Sequence, residues 1–269
     1  MRKKIQETNM YQQTRTLDRR NMKTDFETLT KGKNFDIYQL KEIQRGLDNG
    51  LSVQKVELYA DPNFDFFQMR AIIKGFEQGF SEDQIKIFAN PEFDSDQMYE
   101  IQTGLAAGLL KEQIGIFADP KFTDHQMEQI RLGFKNKLTI EQIHIYANPE
   151  FTKSQMQEIR RGLENKLTKD QVRHYANPEF TCAKMRTMRH LLEDGVQDVE
   201  LYIDYLMHFN KLGNPMPQSK ILAAGAYNGV SMQKLDIIAC GHFSIEQINF
   251  LLCNLQKKVY SIGDIYYHD

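Results

Sequence analysis

Residues 151–179 read FTKSQMQEIRRGLENKLTKDQVRHYANPE, and variants of this 29-residue string recur along the chain. A phenylalanine opens each copy, and a proline preceded by Asp or Asn stands near the end of the first five. The opening residues are Phe35, Phe64, Phe93, Phe122, Phe151 and Phe180. Self-similarity at a fixed period of this length is the sequence signature of a stacked repeat architecture.

The first half of each copy predicts an amphipathic helix. In the quoted copy Thr152 is followed three residues later by Gln155, which is the spacing of a capping box. Phe151 and Met156 stand at the spacing of a hydrophobic staple around the same helix start. Ile159 then follows Met156 by three residues, as one face of a helix requires.

The second half predicts a shorter helix. Thr168 and Gln171 repeat the capping box, and the proline after Asn177 cannot continue a helix. Each copy is therefore predicted to be a helical hairpin. Because one hairpin cannot bury both of its apolar faces, we predict an all-α fold, an α-solenoid of stacked 29-residue helical hairpins.

Glycine recurs where the first helix of each copy should end. Gly50, Gly79 and Gly108 favour the left-handed conformation that terminates many helices. In the fourth and fifth copies we expect Asn136 and Asn165 to adopt that conformation.

A second glycine recurs inside the first helix of each copy. These residues are Gly46, Gly75, Gly104, Gly133 and Gly162. Glycine disfavours the interior of a helix, so its repetition at one position predicts backbones that approach closely there.

The repeat register divides the chain into three parts. Residues 1–34 form a basic arm, with nine Lys and Arg against four acidic residues, which either caps the first hairpin, is disordered or contacts nucleic acid. Six hairpin repeats are predicted for residues 35–205. Degenerate copies in 206–269, with Gly225 and Gly229 in register, are predicted to act as a C-terminal cap.

Composition restricts the environment of the protein. The 34 Lys and Arg nearly balance the 36 Asp and Glu, so the whole molecule is not the strongly basic body of a sequence-independent nucleic-acid binder. The first residues lack an apolar signal-peptide core, and no apolar stretch approaches the roughly 20 residues that cross a bilayer. Three widely spaced cysteines argue against a disulfide framework. We expect a cytoplasmic protein without a membrane partner.

Sequence motifs of catalysis are missing. The chain contains no phosphate-binding loop, nucleophile elbow, metalloprotease helix or paired C-x-x-C motif. Its histidines fall at variable repeat positions, and Cys240 is interpreted as a small core residue. We therefore predict no enzyme activity, no catalytic residue, no metal site and no cofactor.

Basic residues recur just before the internal glycine, except in the third copy, which has Gln102 and Thr103. They are Arg45, Lys74, Arg131, Arg160, Arg161 and Arg189, the last followed by His190. Equivalent residues of a solenoid line up along one face, so these residues predict a basic ladder that meets a partner. The alternative is a solvated face whose charge complements the C-terminal halves of the helices.

Apolar side chains occupy positions in the first two copies that later copies fill with polar residues. Tyr38, Phe66 and Phe67 are the aromatic examples. They predict either a surface that packs against the N-terminal arm or anchors for a partner protein.

The string YANPEFTKSQM at residues 146–156 resembles a short helical repeat of uncharacterised proteins from phages and mobile elements of gut Firmicutes. The resemblance spans roughly residues 35 to 180. It implies a non-catalytic protein of phage or mobile-element origin, and by analogy an anti-CRISPR-like inhibitor of a host defence complex.

The sequence leaves three hypotheses for the function. The leading hypothesis is a non-catalytic scaffold that binds a protein or nucleoprotein complex through the ladder and the apolar first copies. The second is a direct RNA- or DNA-binding protein, whose ladder and N-terminal arm neutralise phosphates and whose affinity falls steeply with salt. The third is an enzyme of unknown type.

Overall fold

The computed structural model describes residues 22–241 and 243–257, and every regular element within them is a helix. The prediction of an all-α fold is confirmed. In chain order the helices are α1 (22–30), α2 (Ile37–Asp48), α3 (Val53–Glu57), α4 (Phe66–Glu77), α5 (Glu82–Phe88), α6 (Ser95–Ala106), α7 (Lys111–Phe117), α8 (Asp124–Lys135), α9 (Ile140–Ile143), α10 (Lys153–Glu164), α11 (Lys169–Arg173), α12 (Cys182–Glu193), α13 (Val199–Lys211), α14 (Met216–Tyr227), α15 (Met232–Cys240) and α16 (Ile245–Lys257).

The chain divides into two compact units, with the boundary between Met185 and Arg186. This boundary lies inside α12, whereas the repeat register placed the end of the regular hairpins at residue 205. The physical reason is α13, which has 13 residues where the second helices of earlier repeats have four to seven. In the second unit this long helix packs extensively against α14.

Capping boxes start the first helix of the first five repeats, as the sequence predicts. In the second repeat the Asp65 side chain accepts from the backbone N–H of Gln68, while the Asp65 N–H donates to the Gln68 side chain. The equivalent caps are Asp36, Asp94, Thr123 and Thr152. Each box satisfies backbone donors that the first turn of a helix leaves unpaired.

The glutamine of each box also ties its repeat to the next one. Gln97 Nε2 donates to the carbonyl oxygens of Pro120 and Phe122 at 3.2 and 2.6 Å. The same pair of bonds is made by Gln39, Gln68, Gln126 and Gln155. All five glutamine side chains are almost fully buried, so each of these hydrogen bonds replaces one that the side chain would otherwise make with water.

The core of the first unit repeats with the sequence. Phe93, Met98 and Ile101 are buried in the third repeat, and their equivalents are buried in the second and the fourth. Successive first helices, α2, α4, α6, α8 and α10, pack against one another in chain order. Each hairpin therefore buries its apolar face against its neighbour, as stacked repeats require.

The internal glycines make room for an aromatic ring. A Cβ on Gly75 would lie 2.8 Å from Ile85 Cδ1 and 2.8 Å from Phe88 Cζ. The tight contact is confirmed, but its partner is a side chain of the second helix and not, as expected, another backbone. A ring of this size reaches the first helix only where no side chain stands in its way.

The end of the first helix differs from the prediction in the fourth and fifth repeats. Asn136 and Asn165 have negative φ, whereas Lys137 and Lys166 adopt positive φ of 66° and 72°. The expectation that the asparagines take the left-handed conformation is therefore wrong. The N–H of Leu138 still bonds the Gly133 carbonyl oxygen, which is the bond of a Schellman turn, and this turn assigns the left-handed conformation to the residue after the C-cap.

The second unit contains the glycines of the first predicted degenerate copy. In α14 and α15 Gly225 lies against Leu235 and Leu252, and Gly229 has the positive φ of a helix terminus, so both glycines are in register. Phe209, Leu222 and the residues around them form a separate apolar core.

Residues 1–21 of the basic arm, and the end of the C-terminal cap beyond residue 257, lie outside the described residues. The end of the arm forms α1, in which Leu29 is buried. Lys33 Nζ also donates to the Ala60 carbonyl oxygen of the first repeat at 2.6 Å. Contact between the arm and nucleic acid stays a prediction.

Candidate binding face

The residues of the predicted basic ladder lie in two rows, and one of the rows is buried. Arg45, Lys74 and Arg161 stand directly before the internal glycine and are exposed. Arg131 and Arg160 stand two residues before it, and their side chains are only 14% and 10% exposed. The single exposed row expected from the sequence is thus corrected, because one step along a helix turns a side chain by about 100°.

The buried row connects neighbouring repeats. Arg131 Nε donates to Glu100 Oε2 of the preceding repeat at 2.7 Å. Arg160 Nε donates to Gln129 Oε1 at 3.2 Å, and its Nη1 donates to Glu164 on the same helix at 2.5 Å. Both guanidinium groups are engaged inside the molecule, so they contribute to the stacking of repeats.

Arg189 belongs to the second unit and is engaged in the same way. Its Nη1 lies 2.8 Å from both carboxylate oxygens of Glu193 one helical turn later. His190, the next residue, is exposed.

Aromatic and basic side chains together cover the outer surface of α2, α4 and α6. We call this surface the aromatic–basic face; its residues are Tyr38, Lys41, Arg45, Phe66, Phe67, Arg70, Lys74 and Tyr99. Tyr38, Phe67 and Tyr99 are 56%, 53% and 53% exposed. Exposed aromatic side chains grouped on adjacent helices are a feature that interaction surfaces often have.

The rings of the face are continuous across the first two helices. The Tyr38 and Phe66 ring centroids lie 5.3 Å apart, and those of Phe66 and Phe67 lie 3.9 Å apart. The structure therefore brings together all three aromatic residues that the sequence singled out.

Each part of the face also holds a cation next to a ring. Lys41 Nζ lies 5.5 Å from the centroid of Tyr38, and Lys74 Nζ lies 5.5 Å from that of Tyr99 on the following helix. Arg70 Cζ lies 5.9 Å from the Phe66 centroid. Cations at these distances are attracted by the ring faces, which holds long side chains in defined positions.

Lys41, Arg70 and Tyr99 are functional candidates that the sequence reasoning missed. They occupy one repeat position, 29 residues apart, so a column search could have found them. The signal was hidden because the column contains two bases and an aromatic residue and continues with Glu128 and Gln157, so it shows no single chemical type.

A buried carboxylate supports the basic part of the face. Arg70 Nη2 and Nε donate to Glu42 Oε1 at 2.5 and 3.1 Å, and Arg45 Nη1 lies 3.5 Å from Glu42 Oε2. The hydrogen bond that Arg70 donates to Glu42, followed by the charge of Glu42, raises the pKa of Arg70 above its ordinary value. Glu42 thus binds two bases, and Arg45 also lies 4.0 Å from Glu77, so both guanidinium groups are held in position by carboxylates.

The remaining predictions concern metals, cysteines and membranes. Among the described residues no group of three or more His, Cys, Asp or Glu side chains is arranged to hold a metal ion. Cys240 is an exposed free thiol, so its interpretation as a core residue is wrong, since the end of α15 turns it outward. No helix in the described ranges combines the length and the apolar composition needed to span a membrane.

Comparison of the chain with protein-family models gives no match, and comparison with curated proteins gives no match either.

Proposed function

We propose that this protein is a non-catalytic repeat scaffold that binds a macromolecular partner, and that the aromatic–basic face contacts a protein component of that partner. The observation that carries the proposal is the row of exposed rings, Tyr38, Phe67 and Tyr99, on three adjacent helices. Exposed rings on a rigid scaffold offer large contact areas at a small cost in conformational entropy.

The composition of the face matches that of protein interfaces. Tyr, Phe and Arg are enriched in such interfaces, and Tyr and Arg dominate the residues whose loss weakens binding most. The complementary surface would present apolar side chains to Phe66 and Phe67 and carboxylates to Lys41, Arg70 and Lys74. Opposite charges of this kind raise association rates and exclude wrong partners.

A finer proposal is that the partner is a host defence nucleoprotein complex and that the protein inhibits it, as an anti-CRISPR protein does. Its support is the resemblance of the repeat to those of phage and mobile-element proteins. The cytoplasm is the corresponding site of action.

A second candidate function is direct binding of single-stranded nucleic acid. The cations beside the rings of Tyr38, Phe66 and Tyr99 favour it, because bases stack on aromatic side chains while basic groups follow the backbone. The buried guanidinium groups of Arg131 and Arg160 argue against a ladder that runs the length of the repeats.

Affinity capture with the full chain separates the two candidates. Lysate of a candidate host is treated with nuclease and passed over the immobilised protein, and the captured protein is then purified and titrated. The test variant is Y38A/F67A, and the matched control is H125A/S154A, which changes the same repeat position in the fourth and fifth repeats.

We expect saturable binding of a purified protein that Y38A/F67A weakens by about 10- to 30-fold, which corresponds to roughly 1 kcal/mol for each of the two rings. The control should bind as the natural sequence does. Loss of all capture after nuclease treatment, or equal affinity of the test variant and its control, would contradict the proposal.

A further inference from the structure

Two lysines in the first unit adopt a backbone conformation that normally belongs to glycine. Lys137 and Lys166 have φ of 66° and 72°, and they are the two non-glycine residues with positive φ among the described residues. Side chains with a Cβ rarely adopt this region, because the Cβ approaches the following carbonyl oxygen.

The equivalent residue in other repeats is glycine. Gly50, Gly79, Gly108 and Gly195 all have positive φ, and a Cβ built on any of them would meet nothing within 4 Å. The turn therefore needs no side chain for its packing. Lysine at this position costs the fold free energy that glycine would save, so the side chain has to serve something other than folding.

Both lysines line one cavity. A cavity of about 630 Å³ lies where the turns of the fourth and fifth repeats meet, and Lys135 joins Lys137 and Lys166 in lining it. Asn136 and Gln142 add polar groups to its wall. At the positions of Lys135 and Lys137 the third repeat has Ala106 and Gly108, so the cluster is specific to these two repeats.

The charge of the cavity is positive. Its carboxylate, Glu164, accepts from Arg160 Nη1 at 2.5 Å and from Asn136 Nδ2 at 2.7 Å, so a basic partner already neutralises it. The three lysines are exposed and form no ion pair within the described ranges. The cavity therefore combines three hydrated ammonium groups with no acidic group left to balance them.

We propose that the turns of the fourth and fifth repeats bind the phosphodiester backbone of a nucleic acid. Lysine binds phosphate as a point charge with three donors, and lysines from two successive repeats match the phosphates of a polymer better than one small anion. No aromatic residue lines the cavity, which favours contact with the backbone over stacking with bases.

This site is separate from the aromatic–basic face and goes beyond the protein contact proposed for that face. A partner that contains both protein and nucleic acid would engage both surfaces. Because the test below uses nucleic acid alone, its failure would leave the proposed protein contact standing, and failure of the protein contact would leave this site standing.

The test is a salt titration of binding to a fluorescently labelled DNA duplex and to its single strand, followed by anisotropy, with the full chain. The variant K137G/K166G places in both turns the residue that other repeats have. It removes two charges and relieves the backbone, so we expect an equal or higher midpoint of thermal unfolding. The control K111S/K121S removes two exposed lysines outside the cavity.

We expect the affinity of the natural sequence to fall with salt, and K137G/K166G to reduce the slope of log K against log salt by about 2, or about 1 for each lysine. The control should change the slope by less than half as much. The inference is overturned if neither form of DNA binds, or if the variant and the control behave alike. It is also overturned if inorganic phosphate at equal phosphate concentration displaces the DNA, or if anionic lipid vesicles bind in the same lysine-dependent way.

Discussion

The second and fifth repeats have the same length and the same hydrogen-bonded skeleton, but they present different surfaces. The second exposes Phe67 and Arg70, whereas the fifth has Ser154 and Gln157 at the same positions. Most positions that contact a neighbouring repeat keep their chemistry, and the positions that face solvent change freely. Comparison of repeats within one chain thus separates residues that hold the stack together from residues that are available to a partner.

At one buried position the two repeats differ in charge. Ile73 of the second repeat is fully buried, and Arg160 fills the same position in the fifth. The arginine is accommodated because Gln129 of the preceding repeat and Glu164 both bind its guanidinium group. An apolar side chain and a satisfied charge are therefore two solutions for the same gap between repeats.

The largest effect is expected from the glutamine that both repeats share. Gln68→Glu keeps the oxygen that caps its helix but replaces the amide donor with a carboxylate facing the carbonyl oxygens of Pro91 and Phe93. We expect the free energy of unfolding to fall by about 3–4 kcal/mol, as for a buried charge without a partner. Gln155→Glu in the fifth repeat should lose a similar amount, measured by urea denaturation.

The matched control is Gln84→Glu in the second helix of the second repeat. Among the described residues Gln84 forms its hydrogen bonds beyond the helix backbone with Ser81 alone, and it lies at the protein surface, so the change should stay within about 0.5 kcal/mol. A loss as large as that of Gln68→Glu would mean that the tie between repeats contributes nothing beyond the cap.

The next effect concerns the gap between repeats. Arg160→Ala removes the donor of Gln129 Oε1, leaves Glu164 with Asn136 alone and opens a cavity, so we expect the free energy of unfolding to fall by about 2–3 kcal/mol. Arg160→Ile installs the residue of the second repeat and should cost less than about 1.5 kcal/mol. Equal losses for the two variants, measured by urea denaturation, would refute the idea that the two solutions are interchangeable.

A smaller effect is expected from the internal glycines. Gly75→Ala pushes a methyl group against Ile85 and the rigid ring of Phe88. We expect the free energy of unfolding, measured by thermal unfolding, to fall by about 1–2 kcal/mol. Gly115→Ala in α7 meets nothing within 4 Å and should gain about 0.5–1 kcal/mol through helix propensity. Changes of the same sign at both sites would show that the contact with the ring is unimportant.

Two buried tyrosines predict that the free energy of unfolding falls in alkali. Burial raises the pKa of both Tyr59 and Tyr146 above the ordinary value. Their contribution is therefore complete below the unfolded pKa of about 10 and is lost as pH rises above it. Tyr146→Phe removes one such group. Above pH 10 the free energy of unfolding of this variant should therefore fall less steeply than that of the natural sequence, and the two slopes should differ by about 1.4 kcal/mol per pH unit. Parallel curves for the two proteins, from denaturation at several pH values, would contradict this.

Local sequence patterns predicted the helical hairpins well. The cap of Asp65 and the turn at Gly79 each depend on residues a few positions apart, so the repeat string alone indicates the hairpin. The second pair of bonds made by Gln68 was missed because its acceptors lie 23 and 25 residues away.

Burial on one helix was harder to predict than the helix itself. Arg160 and Arg161 are adjacent in sequence, yet the first is buried between repeats and the second is exposed. The sequence pattern placed both arginines in one basic ladder, although the turn of the helix directs the two side chains to different surroundings. The same limit hid Arg70 and Tyr99, whose shared position is recognisable only when the repeats are aligned and the outward direction is known.

The glutamine tie has a consequence for how such a chain can change its length. Each junction in the first unit includes the same two bonds from a Gln to the Pro and Phe backbone of the following copy. An in-frame genetic duplication or deletion of one copy therefore keeps these bonds at the new junction, whereas a pair specific to one junction, such as Arg160 with Gln129, can be lost. Unequal recombination between copies would change the number of repeats between the aromatic–basic face and the lysine turns. The distance between these two surfaces would therefore change in steps of one repeat.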